Sequence, residues 1–252
     1  MTGWAVVTGA SGGLGAGFAK ELARQGANLI LVARSADKLE TLADELRARY
    51  RIQVETWPCD LVNRGARAVL AADLASREIH TLVNNAGFGS IGDFTDLPQE
   101  RISAEVELNV VALTDLTRTV LPGMRQRDRG AVINIASTAA FQPIPGFTTY
   151  AATKSYVLRL SIGLWAELHD TGVRVLAVCP GPTDTGFFSA AGNDQVMGHR
   201  RSVEQVVATS FKALRRHRPY VVDGVGNTIM AEATRLVPAT WVSQMAGWIA
   251  SH

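Results

Sequence analysis

Trp4-Ala5-Val6-Val7-Thr8, followed at once by Gly9-Ala10-Ser11-Gly12-Gly13-Leu14-Gly15, is the stretch that decides the fold. The first five residues are apolar or β-branched and read as a buried strand. The glycines read as a tight turn, and residues 14–25 then show helical spacing closed by Gly26. A strand that enters a helix through glycines opens a βαβ unit. The alternation continues with strands expected over 28–33, 53–57, 81–84, 131–136, 173–178 and 220–222. Between them, helices are expected over 36–50, 64–76, 101–118 and 151–170, the last closed by Gly172. Seven strands with helical crossovers predict an α/β fold, a doubly wound parallel sheet with helices on both faces.

Composition narrows the reading. At 252 residues and 47% apolar, the chain can bury one large core. No internal repeat or Ser/Gly linker marks a boundary, so residues 1–252 are read as a single domain. The net charge of +2 argues against nucleic acid or an anionic membrane as partner. The cluster Arg215, Arg216, His217 and Arg218 stands where a helix should end, which macrodipole complementarity explains. Cys59 and Cys179 lie beside prolines at the ends of apolar runs, as buried thiols rather than a disulfide framework. The five histidines are scattered without ligand spacing, so no metal is expected. The N-terminus enters a strand directly and no apolar run could span a bilayer, so a cytoplasmic protein is expected.

The glycine loop is the first chemical signal. Gly9, Gly13 and Gly15, with Ser11 and Leu14 between them, would let the backbone turn tightly against a pyrophosphate at the helix N-terminus. The spacing is G-x-x-x-G-x-G rather than G-x-G-x-x-G, so the general dinucleotide rule for a Rossmann-type sheet supports it only in part. At the end of the second expected strand, where an acidic residue would accept the adenosine ribose hydroxyls, stand Ala33 and Arg34. An arginine there suits a 2′-phosphate, with Lys38 one turn on adding charge. NADP (as NADPH) is therefore expected in preference to NAD, which remains possible; Arg34 as a solvated helix-start residue is the alternative.

Tyr150-Ala151-Ala152-Thr153-Lys154 places a phenol and an ammonium one helical turn apart. A nearby cation stabilises phenolate, so this spacing predicts a Tyr150 pKa below the ordinary ~10. Ser137 follows the fifth strand, thirteen residues before Tyr150. With these in place the chain resembles the short-chain dehydrogenase/reductase family, in its NADP-preferring branch. The resemblance runs from about residue 4 to 185 and includes the glycine loop, Asp60-Leu61, Asn84-Asn85-Ala86-Gly87, Asn109, Ser137, Tyr150-x-x-x-Lys154 and Pro180-Gly181-Pro182-Thr183-x-Thr185.

What the resemblance implies is specific. Tyr150 would be the general acid in carbonyl reduction, Ser137 would orient the carbonyl, and Lys154 would bind the nicotinamide ribose while tuning Tyr150. Asn109 would hold a water that relays protons from Lys154 to solvent. Asp60 and Leu61 would contact adenine, and Asn85, Ala86 and Gly87 would floor the riboses. Pro180, Gly181, Thr183 and Thr185 would fix the carboxamide. Family members commonly form homodimers or homotetramers, so a homo-oligomer is expected.

Three further segments bear on the substrate. Phe88, Phe141, Ile144, Phe147, Phe187, Phe188 and Met197 should ring the carboxyl edge of the sheet and form an apolar pocket for a ketone, aldehyde, 3-oxoacyl or alcohol substrate. Residues 180–201, irregular and glycine-bearing, are expected as a substrate lid. Residues 225–252, with Trp241, Met245, Trp248 and Ile249 at helical spacing, are expected as a packing or interface segment that lies on a neighbouring subunit, covers the pocket or folds back on its own core. Two other functions stay open: a nucleotide-sensing binding protein without turnover, and a sugar-nucleotide epimerase or dehydratase, which also uses a Tyr-x-x-x-Lys pair.

Overall fold

Val6 and Val7 are chain neighbours in β1 (Trp4–Thr8), yet they pack into different cores on opposite sides of the sheet, as the two-residue period of a strand demands. The same sorting sends Leu29 and Leu31 of β2 (Asn28–Ala33) one way and Ile30 and Val32 the other. A strand buried on both faces requires helices above and below. The structure is a computed structural model and describes residues 3–185, 187, 191, 200–234 and 240–241.

Among those residues the sheet has seven parallel strands in the order β3-β2-β1-β4-β5-β6-β7. The remaining strands are β3 (Val54–Pro58), β4 (Ile79–Asn84), β5 (Gly130–Ile135), β6 (Val173–Cys179) and β7 (Tyr220–Val222). On one face lie α1 (Gly13–Arg24), α2 (Ala36–Tyr50) and α7 (Val203–Arg215), which bury Phe18, Leu39, Leu46 and Phe211. On the other lie α3 (Arg64–Ala75), α5 (Leu113–Gln126) and α6 (Thr148–Glu167), which bury Leu70, Leu116, Met124 and Val157. The doubly wound α/β sheet expected from the alternation is present, and its strand order reverses between β1 and β4. That reversal opens a crevice at the carboxyl ends of the strands.

The helix expected over 101–118 is longer and interrupted. It begins as α4 (Gln99–Val106), loosens into a π-helical turn over Glu107–Ala112, and continues as α5 through Pro122 to Gln126. A proline inside a helix normally marks its end. Here Leu116, Val120 and Met124 form a buried stripe that spans the proline, and burial outweighs the lost hydrogen bond. The helix expected from residue 151 starts at Thr148, which sets Tyr150 in its first turn.

One buried arginine ties distant parts of this face together. Arg67 of α3 is 2% exposed. Its Nε donates to Asp115 Oδ2 at 2.8 Å, Nη2 to Glu107 Oε1 at 2.6 Å and Nη1 to the Leu61 carbonyl at 2.6 Å. Such a charge is tolerated in an interior only when its donors are satisfied in this way. The loop after β3, the π turn and α5 therefore share one cation. Cys59 and Cys179 are both free and buried, and the basic cluster ending at Arg218 follows the C-terminus of α7. Among the described residues no helix is long and apolar enough to cross a membrane.

Candidate active site

The crevice at the reversal of strand order is a cleft of about 1720 Å³. Its floor is set by the turn from β1 into α1. Gly9 (φ +64°) and Gly13 (φ +52°) both take left-handed backbone, a conformation that glycine adopts without the steric cost of a Cβ. Gly15 is required by space instead: a Cβ there would stand 2.2 Å from the Gly9 carbonyl oxygen and 2.7 Å from Asn85 Nδ2. The first turn of α1 carries no acidic residue. Ser11, Gly12, Gly13 and Leu14 line the cleft at that helix end, where an anion would meet unpaired amides.

The loop after β4 is stitched to the glycine turn. Thr8 Oγ1 accepts from the Asn85 amide at 2.9 Å and the Ala86 amide at 3.0 Å, and it donates to the Val83 carbonyl at 3.3 Å. Asn85 Nδ2 in turn donates to the Thr8 carbonyl at 2.9 Å and the Gly9 carbonyl at 3.2 Å. Asn85, Ala86 and Gly87 all face the cleft. Asn84 turns inward and donates to Thr117 and Asn134 at 2.9 Å each. On the opposite wall stand Pro180, Gly181, Thr183 and Thr185, with Thr183 Oγ1 donating to the Gly181 carbonyl at 3.0 Å. Thr183 also bridges to Arg201, which closes the base of the expected lid. Most of residues 186–199, with Phe188 and Met197, lies outside the described residues.

At one end of the cleft are the groups expected to read adenosine. Arg34 and Lys38 are exposed on its wall, and Asp60 and Leu61 face it from the loop after β3. Asp60 Oδ1 accepts from the Val62 amide at 3.1 Å, which fixes the loop, while Arg67 holds the Leu61 carbonyl from behind. A helix N-terminus without acid and glycines where a Cβ would fill the cradle fit a nicotinamide dinucleotide, and Arg34 and Lys38 stand at the far end.

At the other end, Ser137, Tyr150 and Lys154 converge on the cleft. Ser137 caps a short 3₁₀ turn (Thr138–Phe141), its Oγ accepting from the Ala139 amide at 3.1 Å. The Tyr150 ring stacks on Phe147 with centroids 4.3 Å apart and lies 5.3 Å from the Phe187 ring. Lys154 Nζ donates to the Ile135 carbonyl at 2.7 Å and stands 5.6 Å from the centre of the Tyr150 ring. Asn109 does not line the cleft. From the π turn its Nδ2 donates to the Phe88 carbonyl at 2.8 Å and to Thr153 Oγ1 at 3.1 Å, and its Oδ1 accepts from the Phe88 amide at 3.2 Å. π turns concentrate at functional sites, and this one anchors the segment beneath Lys154.

The titration of the pair differs from the sequence expectation. Burial pushes the Tyr150 phenol above its ordinary value, with the Ser137 hydroxyl pulling the other way. Burial likewise pushes Lys154 down, to about 8. The spacing of two residues counts only their mutual charge. Enclosure by Phe147, Phe187 and the sheet removes water from both, and desolvation disfavours each charged form. Tyr150 is therefore held as a phenol, the form that donates a proton.

Sequence reasoning missed several participants. From α8 (Val225–Ala233), Asn227, Met230 and Ala231 line the cleft, so part of the expected packing segment forms its wall. The stretch is short, follows Gly224 and carries no motif spacing to flag it. Of the tail residues, Trp241 is exposed, and Met245, Trp248 and Ile249 lie outside the described residues. The apolar rim itself is where the sequence put it, with Phe88, Phe141, Ile144, Phe147 and Phe187 lining the cleft.

Comparison with known proteins matches this geometry to a family. Residues 3–196 match the family model described as short chain dehydrogenase. The chain is 36% identical to the very-long-chain 3-oxoacyl-CoA reductase of Bos taurus over 181 residues, covering 70% of this chain and 58% of that protein. It is 32% identical to the 17-beta-hydroxysteroid dehydrogenase type 3 of Danio rerio over 247 residues, covering 96% and 78% respectively. Among solved structures it resembles a short-chain dehydrogenase from Sphingobium yanoikuyae in complex with NADPH. That match has a TM-score of 0.87 and 34% identity, over 92% of this chain and 91% of the other. On the strength of the family match and of these relatives, the chain belongs to the short-chain dehydrogenase family.

Proposed function

We propose that the protein is an NADPH-dependent carbonyl reductase that converts an apolar ketone, aldehyde or 3-oxoacyl compound to an alcohol, and runs in reverse as an alcohol dehydrogenase. The observation that carries this reading is the meeting of Ser137, Tyr150 and Lys154 at the apolar end of a cleft whose other end carries Arg34 and Lys38. NADPH, when bound, supplies the hydride. Hydride arrival at a carbonyl carbon builds negative charge on its oxygen, and donors aimed at that oxygen lower the barrier. Tyr150, held protonated by its burial, gives the oxygen a proton. The Ser137 hydroxyl orients the same oxygen, and the Lys154 ammonium supports the phenolate left behind. Asn109 holds the floor beneath Lys154 through Phe88 and Thr153.

The substrate's apolar body fits the aromatic rim. Phe141, Ile144, Phe147 and Phe187 offer the ring and aliphatic surface against which a hydrophobic substituent would bury itself. The relatives named for 3-oxoacyl-CoA and for hydroxysteroid substrates support a search among bulky ketones. A homodimer or homotetramer in the cytoplasm completes the reading, and light scattering on the purified protein tests the assembly.

The cofactor preference has its own test. Arg34→Ala should weaken NADPH binding about tenfold to a hundredfold, the loss of one charge-assisted phosphate contact, while NADH binding stays within about twofold. Fluorescence titration with both cofactors reads the difference. Equal weakening of the two would sink the assignment of Arg34 to the 2′-phosphate. The activity is tested by following NADPH oxidation across a panel of bulky ketones and 3-oxoacyl thioesters, and a protein that binds NADPH but oxidises it with none of them is not a carbonyl reductase of this class.

A further inference from the structure

Glu105 occupies the last turn of α4 and is entirely buried. Neither carboxyl oxygen closes a hydrogen bond of normal geometry. A carboxyl left so in an interior is costly, and its persistence asks for a reason. Its surroundings supply one. Arg101, one turn earlier, donates from Nε to Ser90 Oγ at 2.9 Å and from Nη2 to the Gly89 carbonyl at 3.2 Å. Ser90, itself 2% exposed, is the group whose hydroxyl and amide pull on the Glu105 carboxyl.

The short segment from Gly87 to Ser90 is a wedge between this carboxyl and the reacting pair. A Cβ added at Gly87 would lie 2.8 Å from Asn109 Oδ1 and 3.5 Å from Lys154 Nζ, and one at Gly89 would lie 2.9 Å from Tyr150 Cδ2. Backbone this bare leaves few atoms between the two sides, and charges separated by protein rather than bulk water couple more strongly. The charged groups acting on Glu105 are Arg101 from its own helix and Lys154 from α6. Those favouring the Lys154 ammonium are Cys179 and Glu105. Burial pushes the Cys179 thiol up to about 12, so it carries no charge near neutrality. Glu105 is left as the carboxyl whose ionised form favours the Lys154 ammonium.

We propose that Glu105 is a positioning residue for Lys154: its buried carboxyl, set behind the Gly87–Ser90 wedge, holds Lys154 in the ammonium form and so sets the alkaline limit of carbonyl reduction. The inference rests on the carbonyl-reductase reading for its kinetic arm only. During reduction Tyr150 loses its proton to the substrate oxygen and must regain one. Lys154 helps only while it is an ammonium, and Glu105 extends the pH range over which it is.

Glu105→Gln, which keeps the shape and removes the charge, tests this. In the variant the alkaline limb of kcat against pH should move down by about one pH unit, with KM for NADPH and ketone little changed. A limb that stays in place overturns the proposal. A second arm needs no turnover. Burial raises the Glu105 carboxyl in the folded chain above its unfolded value, so the folded state binds that proton more tightly. The stability it contributes is present below the unfolded carboxylate range and is lost as pH rises through the raised folded value. Wild-type Tm should therefore fall relative to the variant as pH rises above the ordinary carboxylate range, whereas a space-filling role gives an offset that does not change with pH. A constant offset overturns the proposal; a wild type without NADPH-dependent carbonyl reduction overturns only the reading it rests on.

Discussion

Tyr150→Phe should lower kcat for carbonyl reduction about a thousandfold while leaving the NADPH dissociation constant within about twofold. The ring stays: Phe147 stacks on it at 4.3 Å and Phe187 packs at 5.3 Å, and phenylalanine keeps both contacts. Only the hydroxyl goes, and with it a buried acid that stands in the cleft beside Ser137. A thousandfold loss is about 4 kcal/mol of transition-state stabilisation, within what a positioned general acid contributes. The pH behaviour should separate this role from a packing role. The phenol is pushed above its ordinary value by burial, so wild-type reduction should show no fall attributable to phenol ionisation at neutral pH, and the limiting alkaline group should be Lys154, at about 8. Stopped-flow single turnover on both proteins, with binding measured separately, decides the matter. Residual turnover near the wild-type rate would remove Tyr150 from the chemistry.

The second large effect is expected at Gly15. An alanine methyl there meets the Gly9 carbonyl oxygen at 2.2 Å and Asn85 Nδ2 at 2.7 Å, both held in place by the Thr8 stitching. Neither is the free end of a flexible chain, so the loop itself must shift. Overpacking of this kind costs about 1–3 kcal/mol, and the shift falls on the turn that should receive a pyrophosphate. Gly15→Ala should lower the Tm of the unliganded protein by several degrees and weaken NADPH binding about a hundredfold. Gly12→Ala is the control for stability, because a Cβ there meets nothing within 4 Å and its backbone is extended (φ 174°). If the two alanines lower the unliganded Tm equally, the close approach of Gly15 is not what shapes the loop.

Much of this arrangement is legible in the residues because it rests on periodicity and short spacing. Alternating Val6 and Val7, or Ile30 and Leu31, announce a strand covered on both faces, and the Tyr150 to Lys154 interval announces one helical turn. What escapes is whatever depends on tertiary burial. Pro122 argues for a helix end, but the buried stripe of Leu116, Val120 and Met124 carries α5 past it. Glu105 looks like one more acid on a solvated face, since nothing in its neighbours tells that Ser90 and Arg101 will enclose it. The phenol of Tyr150 moves opposite to the direction its spacing suggests, because desolvation is a property of the whole enclosure. Asn227 reaches the cleft only through the path the chain takes after β7.

The Arg67 clamp bears on any attempt to redesign cofactor choice. Exchanging the loop after β3 for that of another dehydrogenase would be the natural way to alter the adenine contact expected of Asp60 and Leu61, and it leaves the glycine turn untouched. Yet Leu61, Glu107 and Asp115 share one guanidinium, so a transplanted loop that no longer offers its carbonyl leaves Arg67 to two carboxylates, one of them in the π turn that carries Asn109. Modules that look separable along the chain are mechanically joined here, and a graft must bring its own partner for that guanidinium or accept a slower catalyst along with the new cofactor.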